Sequence, residues 1–135
     1  MIIGADLDGF ITINNWYKGK INLHWLIVFF AVIFLGPFIW PRRKIVKNLK
    51  RWAKENNDEI VIISARPKEL EGLTKIWLFK YKVPYHHLVL VGTGKGVGKR
   101  KLIAIQESGV ECYFDDDAET VEFLRRNGVR AYCFN

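Results

Sequence analysis

An α/β fold, a Rossmann-like three-layer sandwich with a mainly parallel five-stranded sheet and a short hydrophobic insertion after the first strand, is what these 135 residues predict. Three observations lead there. Short apolar runs alternate with helix-periodic stretches, the pattern of successive βα units. The apolar runs are nearly continuous rather than alternating with polar residues, so each strand is expected to be covered on both faces, as in a parallel sheet. The polar residues that interrupt the pattern cluster just after strand ends. A chain of this length is one domain, residues 1–135, and an apolar content of 50% excludes a disordered chain.

The elements follow in order. Ile2 to Leu7 is the first strand. Residues 14–40 depart from the alternation and form an insertion. Arg43 to Glu55 places Val46, Leu49, Trp52 and Ala53 on one face with Lys and Arg opposite, which predicts an amphipathic helix with Pro41 in its first turn. Ile60 to Ser64 is the second strand. A helix beginning near Pro67 carries Leu70, Leu73, Trp77 and Tyr81 on one stripe and stops before Pro84. His86 and His87 read as loop or packing residues ahead of the third strand, Leu88 to Gly92. A helix from Lys99 to Ser108 ends at Gly109, and another from Ala118 to Asn127 ends at Gly128, both with left-handed C-terminal caps expected. The fourth and fifth strands are Glu111 to Phe114 and Arg130 to Phe134. Trp52 and Trp77, with aliphatic neighbours at helical spacing, belong to the core.

Charge is unevenly distributed. Of 21 basic and 14 acidic residues, nine cations and no acid fall in residues 9–54, so the net +7 belongs to that segment. It also holds Leu23 to Trp40, LHWLIVFFAVIFLGPFIW, 18 residues without formal charge. As a helix this run is about 27 Å long, just short of the ~30 Å of bilayer hydrocarbon. A single span would separate Asp6 and Asp8 from Ser64, Lys101 and Asp115 across the membrane, so both ends of the insertion are expected on one side. Gly36-Pro37 supplies a break where the segment can return. Two readings stay open: an interfacial or re-entrant segment on an anionic membrane surface, gripped by Arg42, Arg43, Lys44 and Lys47, or an apolar interface in a homo-oligomer. Nothing matches an RNA-binding aromatic motif, and nucleic acid is not the expected partner. Cys112 and Cys133 lack metal-ligand spacing, and MIIGAD lacks the basic start of a secretory signal. A cytoplasmic protein is expected, peripheral or monotopic at the inner face of the membrane.

Three polar clusters carry the chemistry. Asp6 and Asp8 follow the first strand, Ser64 and Arg66 the second, Asp115 to Asp117 the fourth, and the C-terminal edge of an open parallel sheet is its ligand crevice. Gly9 lets the chain turn sharply after Asp8. Gathering Asp6, Asp8, Asp115 and Asp116 at one rim is costly unless a hard divalent cation neutralises them, and magnesium is the expected cofactor. Each cluster also has a local reading: Asp-x-Asp-Gly as a turn, or the triple Asp as the cap of the helix at Ala118. Their joint placement on one edge favours a site. The stretch GTGKGVGKRK at 92–101 is not a Walker loop, because Thr93 and Arg100 stand where Gly and Ser or Thr are needed. It reads as a flexible backbone that brings a lysine to the rim.

ADLDGF at 5–10, VIISARP at 61–67 and YFDDD at 113–117 resemble, in order, motifs of the haloacid dehalogenase (HAD) superfamily, specifically its small phosphatases and nucleotidase-like members. The resemblance covers residues 1–13 and 41–135. It implies a magnesium-dependent phosphomonoester hydrolase in which Asp6 is the nucleophile that forms an aspartyl-phosphate and Asp8 is the general acid and then base. Ser64 would hydrogen-bond a phosphoryl oxygen. The motif lysine would be Lys101, fourteen residues before Asp115, with Lys99 and Lys95 as competitors. Asp6, the Asp8 carbonyl and Asp115 would hold the metal with Asp116 adjacent, and Gly9, Ala65 and Arg66 would meet substrate, although Arg66 could instead pair with a carboxylate. The insertion occupies the family's cap position, which points to a phosphorylated small molecule or, given its apolarity, a lipid phosphate. A non-catalytic interaction module of the same fold is the contrasting class.

Overall fold

Both faces of the strand at 59–64 are buried, and the layering of the molecule follows from that. The computed structural model describes residues 1–8 and 41–134; Gly9 and the insertion at 14–40 lie outside them. Among the described residues there are five strands, β1 (Ile2–Ala5), β2 (Glu59–Ser64), β3 (His87–Leu90), β4 (Cys112–Asp115) and β5 (Ala131–Cys133). Four α-helices accompany them: α1 (Arg43–Glu55), α2 (Glu71–Lys80), α3 (Val97–Glu107) and α4 (Ala118–Arg126), with a 3₁₀ turn at Lys68–Leu70 before α2. The sheet order is β3-β2-β1-β4-β5, and every neighbouring pair is parallel. The chain thus winds outward from β1 to β3, returns to the other side of β1 at β4, and leaves a topological switch between β1 and β4.

Right-handed crossovers in the two directions put the helices on opposite faces. On one face Ile60 and Ile62 of β2 pack with Ile45, Val46 and Leu49 of α1 and with Leu73, Trp77 and Leu78 of α2. On the other, Val61 and Ile63 pack with Ala104 and Ile105 of α3 and Val121 and Leu124 of α4. Truncating a fully buried residue here, such as Leu49→Ala, costs about 2–5 kcal/mol. Trp77 is entirely in the core, as its spacing predicts, whereas Trp52 is half-buried and stacks on Phe114 with ring centroids 5.4 Å apart.

α1 begins and ends where the periodicity predicts, but Pro41 precedes its N-cap Arg42 instead of occupying the first turn. β1 stops at Ala5, since Asp6 and Leu7 leave the ladder to enter the crevice, although the Asp6 N–H still donates to the Phe114 carbonyl at 2.8 Å. Gly109 and Gly128 have φ of +64° and +81°. Each lets two amides turn back on its helix: Gly109 and Val110 donate to Gln106 and Ile105, Gly128 and Val129 to Arg125 and Leu124. His86 has a definite structural task, because its Nδ1 accepts the Ile60 N–H at 2.9 Å.

Candidate active site

β1 and β4 are adjacent, so their C-terminal ends bring Asp6 and Asp115 side by side at the switch point. Leu7, fully buried, pins the turn between Asp6 and Asp8. α3 rises behind this edge and sends Lys101 into it: Nζ donates to Asp6 Oδ1 at 2.9 Å and to Asp115 Oδ2 at 2.6 Å. Lys101 is 4% exposed. Lys95 and Lys99 are exposed, and neither forms an ion pair with a described residue.

The acidic triplet divides its tasks. Asp117 caps α4, its carboxylate accepting the Thr120 N–H at 3.3 Å. Asp115 turns inward to Lys101, and its other oxygen accepts the Asp117 N–H at 3.0 Å. The local capping reading therefore holds for Asp117, while Asp115 belongs to the crevice. Carboxylate oxygens of Asp6, Asp115 and Asp116 lie within 4.8 Å of one another. Hard oxygen donors at this spacing, with Asp6, Asp8, Asp115 and Asp116 against Lys101 and Arg66, leave two negative charges in excess, so the residues fit a divalent ion such as Mg²⁺.

Asp8 is held from the other side. Arg66 grips it with both arms of its guanidinium, Nε to Oδ2 at 2.8 Å and Nη2 to Oδ1 at 2.7 Å, and is itself 1% exposed. Nη1 donates to Thr74 Oγ1 of α2 at 3.2 Å. Of the two roles open to Arg66 in the sequence, pairing with a carboxylate is the one in the structure. Ser64 is fully buried beside Asp8, donating to Oδ2 at 3.4 Å and accepting the Arg66 N–H at 3.3 Å. A cleft of about 420 Å³ opens over these groups, lined by Asp6, Asp8, Ala65, Val97, Lys101 and Asp116 among others.

Electrostatics follow from depth. Burial pushes the Asp6 carboxyl well above the usual carboxylate range against the pull of Lys101, and Asp115 and Asp8 add to the rise. Burial works against the Lys101 ammonium, but the Asp6 and Asp115 carboxylates outweigh it and push its titration well above the ordinary lysine value. Tyr113 gave no signal in the sequence beyond being an apolar strand residue. Its ring lies 5.8 Å from Lys101 Nζ, and its hydroxyl donates to the Ile63 carbonyl at 3.2 Å, reaching across β1. That passage explains Gly4, where a Cβ would come within 2.7 Å of the Tyr113 ring. Thr74 and Arg100 were also missed. Arg100 donates to the carbonyls of Val91, Gly92, Thr93 and Lys95, so the glycine-rich loop is wound around one guanidinium. Only a partner, not a residue type, could have revealed either.

No family model matches the sequence. Over 68 residues, half of the chain, it is 34% identical to a Halalkalibacterium halodurans protein named "putative nucleotidase", and it spans 31% of that protein's length. Among solved structures it is similar over 99% of its length to a chain of the Pnkp1/Rnl/Hen1 RNA repair complex, with a TM-score of 0.76, 20% identity and 42% of that chain covered. It is likewise similar to the HAD domain of the effector Lem4 of Legionella pneumophila, with a TM-score of 0.63, 16% identity and 84% of that domain covered. The parallel five-stranded α/β fold is shared with that HAD domain.

Proposed function

We propose that this chain is a magnesium-dependent phosphomonoester hydrolase that works through an aspartyl-phosphate on Asp6. The observation that carries the reading is the Lys101 ammonium bridging Asp6 and Asp115 at 2.9 and 2.6 Å, with Asp8 fixed two residues after Asp6. Lys101 engages Asp6 Oδ1. Oδ2 is the oxygen for in-line attack on phosphorus, breaking the ester P–O bond. Asp8 gives the departing alkoxide its proton and afterwards takes one from the water that cleaves the acyl phosphate, releasing inorganic phosphate and restoring Asp6. Lys101 offsets the charge on the nucleophile and the phosphoryl oxygens. A Mg²⁺ held by Asp6, Asp115, Asp116 and the Asp8 carbonyl would supply further neutralisation of the phosphoryl group. Ala65 lines the cleft and would meet substrate, while Ser64 and Arg66 act through Asp8.

The uncharged run at 23–40, at the cap position, favours an amphiphilic or lipid-linked phosphate ester. The nucleotidase-named relative favours a nucleoside monophosphate as the second substrate class. Hydrolysis of p-nitrophenyl phosphate with and without Mg²⁺, by the wild type and Asp6→Asn, tests the chemistry. Magnesium-dependent phosphate release lost in the variant is expected; equal release from both would overturn the reading. A panel of nucleoside monophosphates against micellar lipid phosphates separates the two substrate classes.

A further inference from the structure

The two helical layers differ in what they show to solvent. α1 carries six cations, Arg43, Lys44, Lys47, Lys50, Arg51 and Lys54, and a single acid, Glu55. Among the described residues none of the six enters an ion pair. Ile45, Val46 and Leu49 face the sheet, so the helical repeat projects Lys44, Lys47, Arg51 and Lys54 from the opposite side. α2 belongs to the same layer and buries Leu73, Thr74, Trp77 and Leu78. A helix packed this way ordinarily turns polar side chains outward. α2 turns out Phe79, 85% exposed, and Ile76, 46% exposed, while its Lys75 pairs with Glu71 at 2.7 Å. In the other layer four of the five helix cations are engaged, and Lys99 is exposed. Lys101 is buried in the crevice, Arg100 holds loop carbonyls, Arg125 donates to the Ala131 carbonyl and Arg126 pairs with Glu122.

We infer that the outer surface of the α1–α2 layer docks on an anionic lipid bilayer, with Phe79 and Ile76 entering the interface and the α1 cations against the headgroups. Charge complementarity and the apolar pair point to the same partner. Lys and Arg without ion pairs among the described residues, in the same layer as an exposed aromatic side chain, are what a negatively charged bilayer surface accommodates. Lysine stems can lie along the apolar boundary with their ammonium groups at the phosphates. A nucleic acid would use the cations and leave Phe79 and Ile76 in water. A second copy of the chain, docked symmetrically through this face, would bring the same unpaired cations against each other. The layer also begins directly after the uncharged run Leu23 to Trp40 in the sequence, so a bilayer partner is continuous with that run's composition. The cleft is lined from the C-terminal edge of the sheet and from α3 and α4, and none of its lining residues belongs to α1 or α2. The inference stands apart from the phosphatase reading.

Co-sedimentation of the full chain with vesicles of phosphatidylcholine alone, and of phosphatidylcholine mixed with phosphatidylglycerol, tests it. Binding is expected to rise with the phosphatidylglycerol fraction and to fall with added salt. Ile76→Ser with Phe79→Ser is expected to lower partition by about tenfold, and Lys47→Glu with Arg51→Glu and Lys54→Glu to abolish the phosphatidylglycerol dependence. All these positions face solvent, and each variant should keep the wild-type circular dichroism spectrum and melting temperature, which keeps loss of docking distinct from loss of fold. Wild-type binding that ignores phosphatidylglycerol, equal binding by both variants, or retention of single-stranded oligonucleotides in place of vesicles would each overturn the inference.

Discussion

Ionised Asp6 is unfavourable in the metal-free fold. Its carboxyl is raised well above 3.8 by burial, so the folded state holds its proton more tightly than the unfolded chain does. That contribution is fully present below the unfolded value and is lost as pH rises through the folded one. Asp6→Asn does not titrate. In chelator-treated protein the melting temperature of the variant, relative to wild type, should therefore climb as pH is raised from about 4 toward neutrality; a difference independent of pH would refute the burial argument. Arg66 yields a second residue-scale prediction. Lysine keeps the charge but cannot supply two parallel N–H donors to Asp8. Arg66→Lys should keep the circular dichroism spectrum while lowering kcat on the order of tenfold, measured on a soluble ester. Asp6, Asp8, Ser64, Arg66, Asp115 and Asp116 were legible as residues at or after strand ends, whereas Lys101, on a helix, was named only through the motif resemblance, with Lys99 and Lys95 as competitors. Thr74 was not, because a threonine on the buried stripe of a helix announces nothing until its Oγ1 is seen 3.2 Å from Arg66.

Elements were legible where one physical signal dominated. The amphipathic repeat of α1 and the glycine caps of α3 and α4 are local, and their bounds follow within a residue or two. Strand ends were less so: β1 reads as apolar through Leu7, but pairing with β2 and β4 stops at Ala5 because the chain must turn into the crevice. The loop after β3 is the clearest case of a hidden long-range cause. Its glycines at 92, 94 and 96 take positive φ, and the carbonyls so exposed converge on Arg100. Arg100→Met should leave these carbonyls unsatisfied and open the loop, seen as faster tryptic cleavage at Lys95 and Lys99. Gly4 tests the sheet itself. Gly4→Ala drives a methyl against Tyr113 and Val110, at 2.7 and 2.8 Å, and overpacking of this kind costs about 1–3 kcal/mol, measurable as a lower denaturant midpoint with an unchanged slope.

The whole molecule is organised by one imbalance at the switch point and another on its surface. Around the crevice, four carboxylates meet two cations, and three of those carboxylates can share one ion. The remaining charge is unfavourable at that depth, so a bound divalent cation should stabilise the fold as a whole and not only the site. At a hundredfold excess over its dissociation constant, such an ion contributes about 2.7 kcal/mol. For a domain of this size that corresponds to a rise in Tm on the order of 10 °C. Thermal unfolding with and without MgCl2 checks it, with Asp115→Asn as the control, because that substitution removes the charge of one of the three carboxylates and should erase most of the shift. Mg²⁺ raising Tm equally in the variant would mean that the ion binds elsewhere. The charge on α1 is a separate matter: its cations lie across the sheet from α3, behind the layer of Ile45, Val46 and Leu49. Salt should therefore screen the exposed α1 surface strongly while leaving the buried Lys101–Asp6–Asp115 cluster nearly untouched, so the magnesium shift should persist at high ionic strength where vesicle binding is lost.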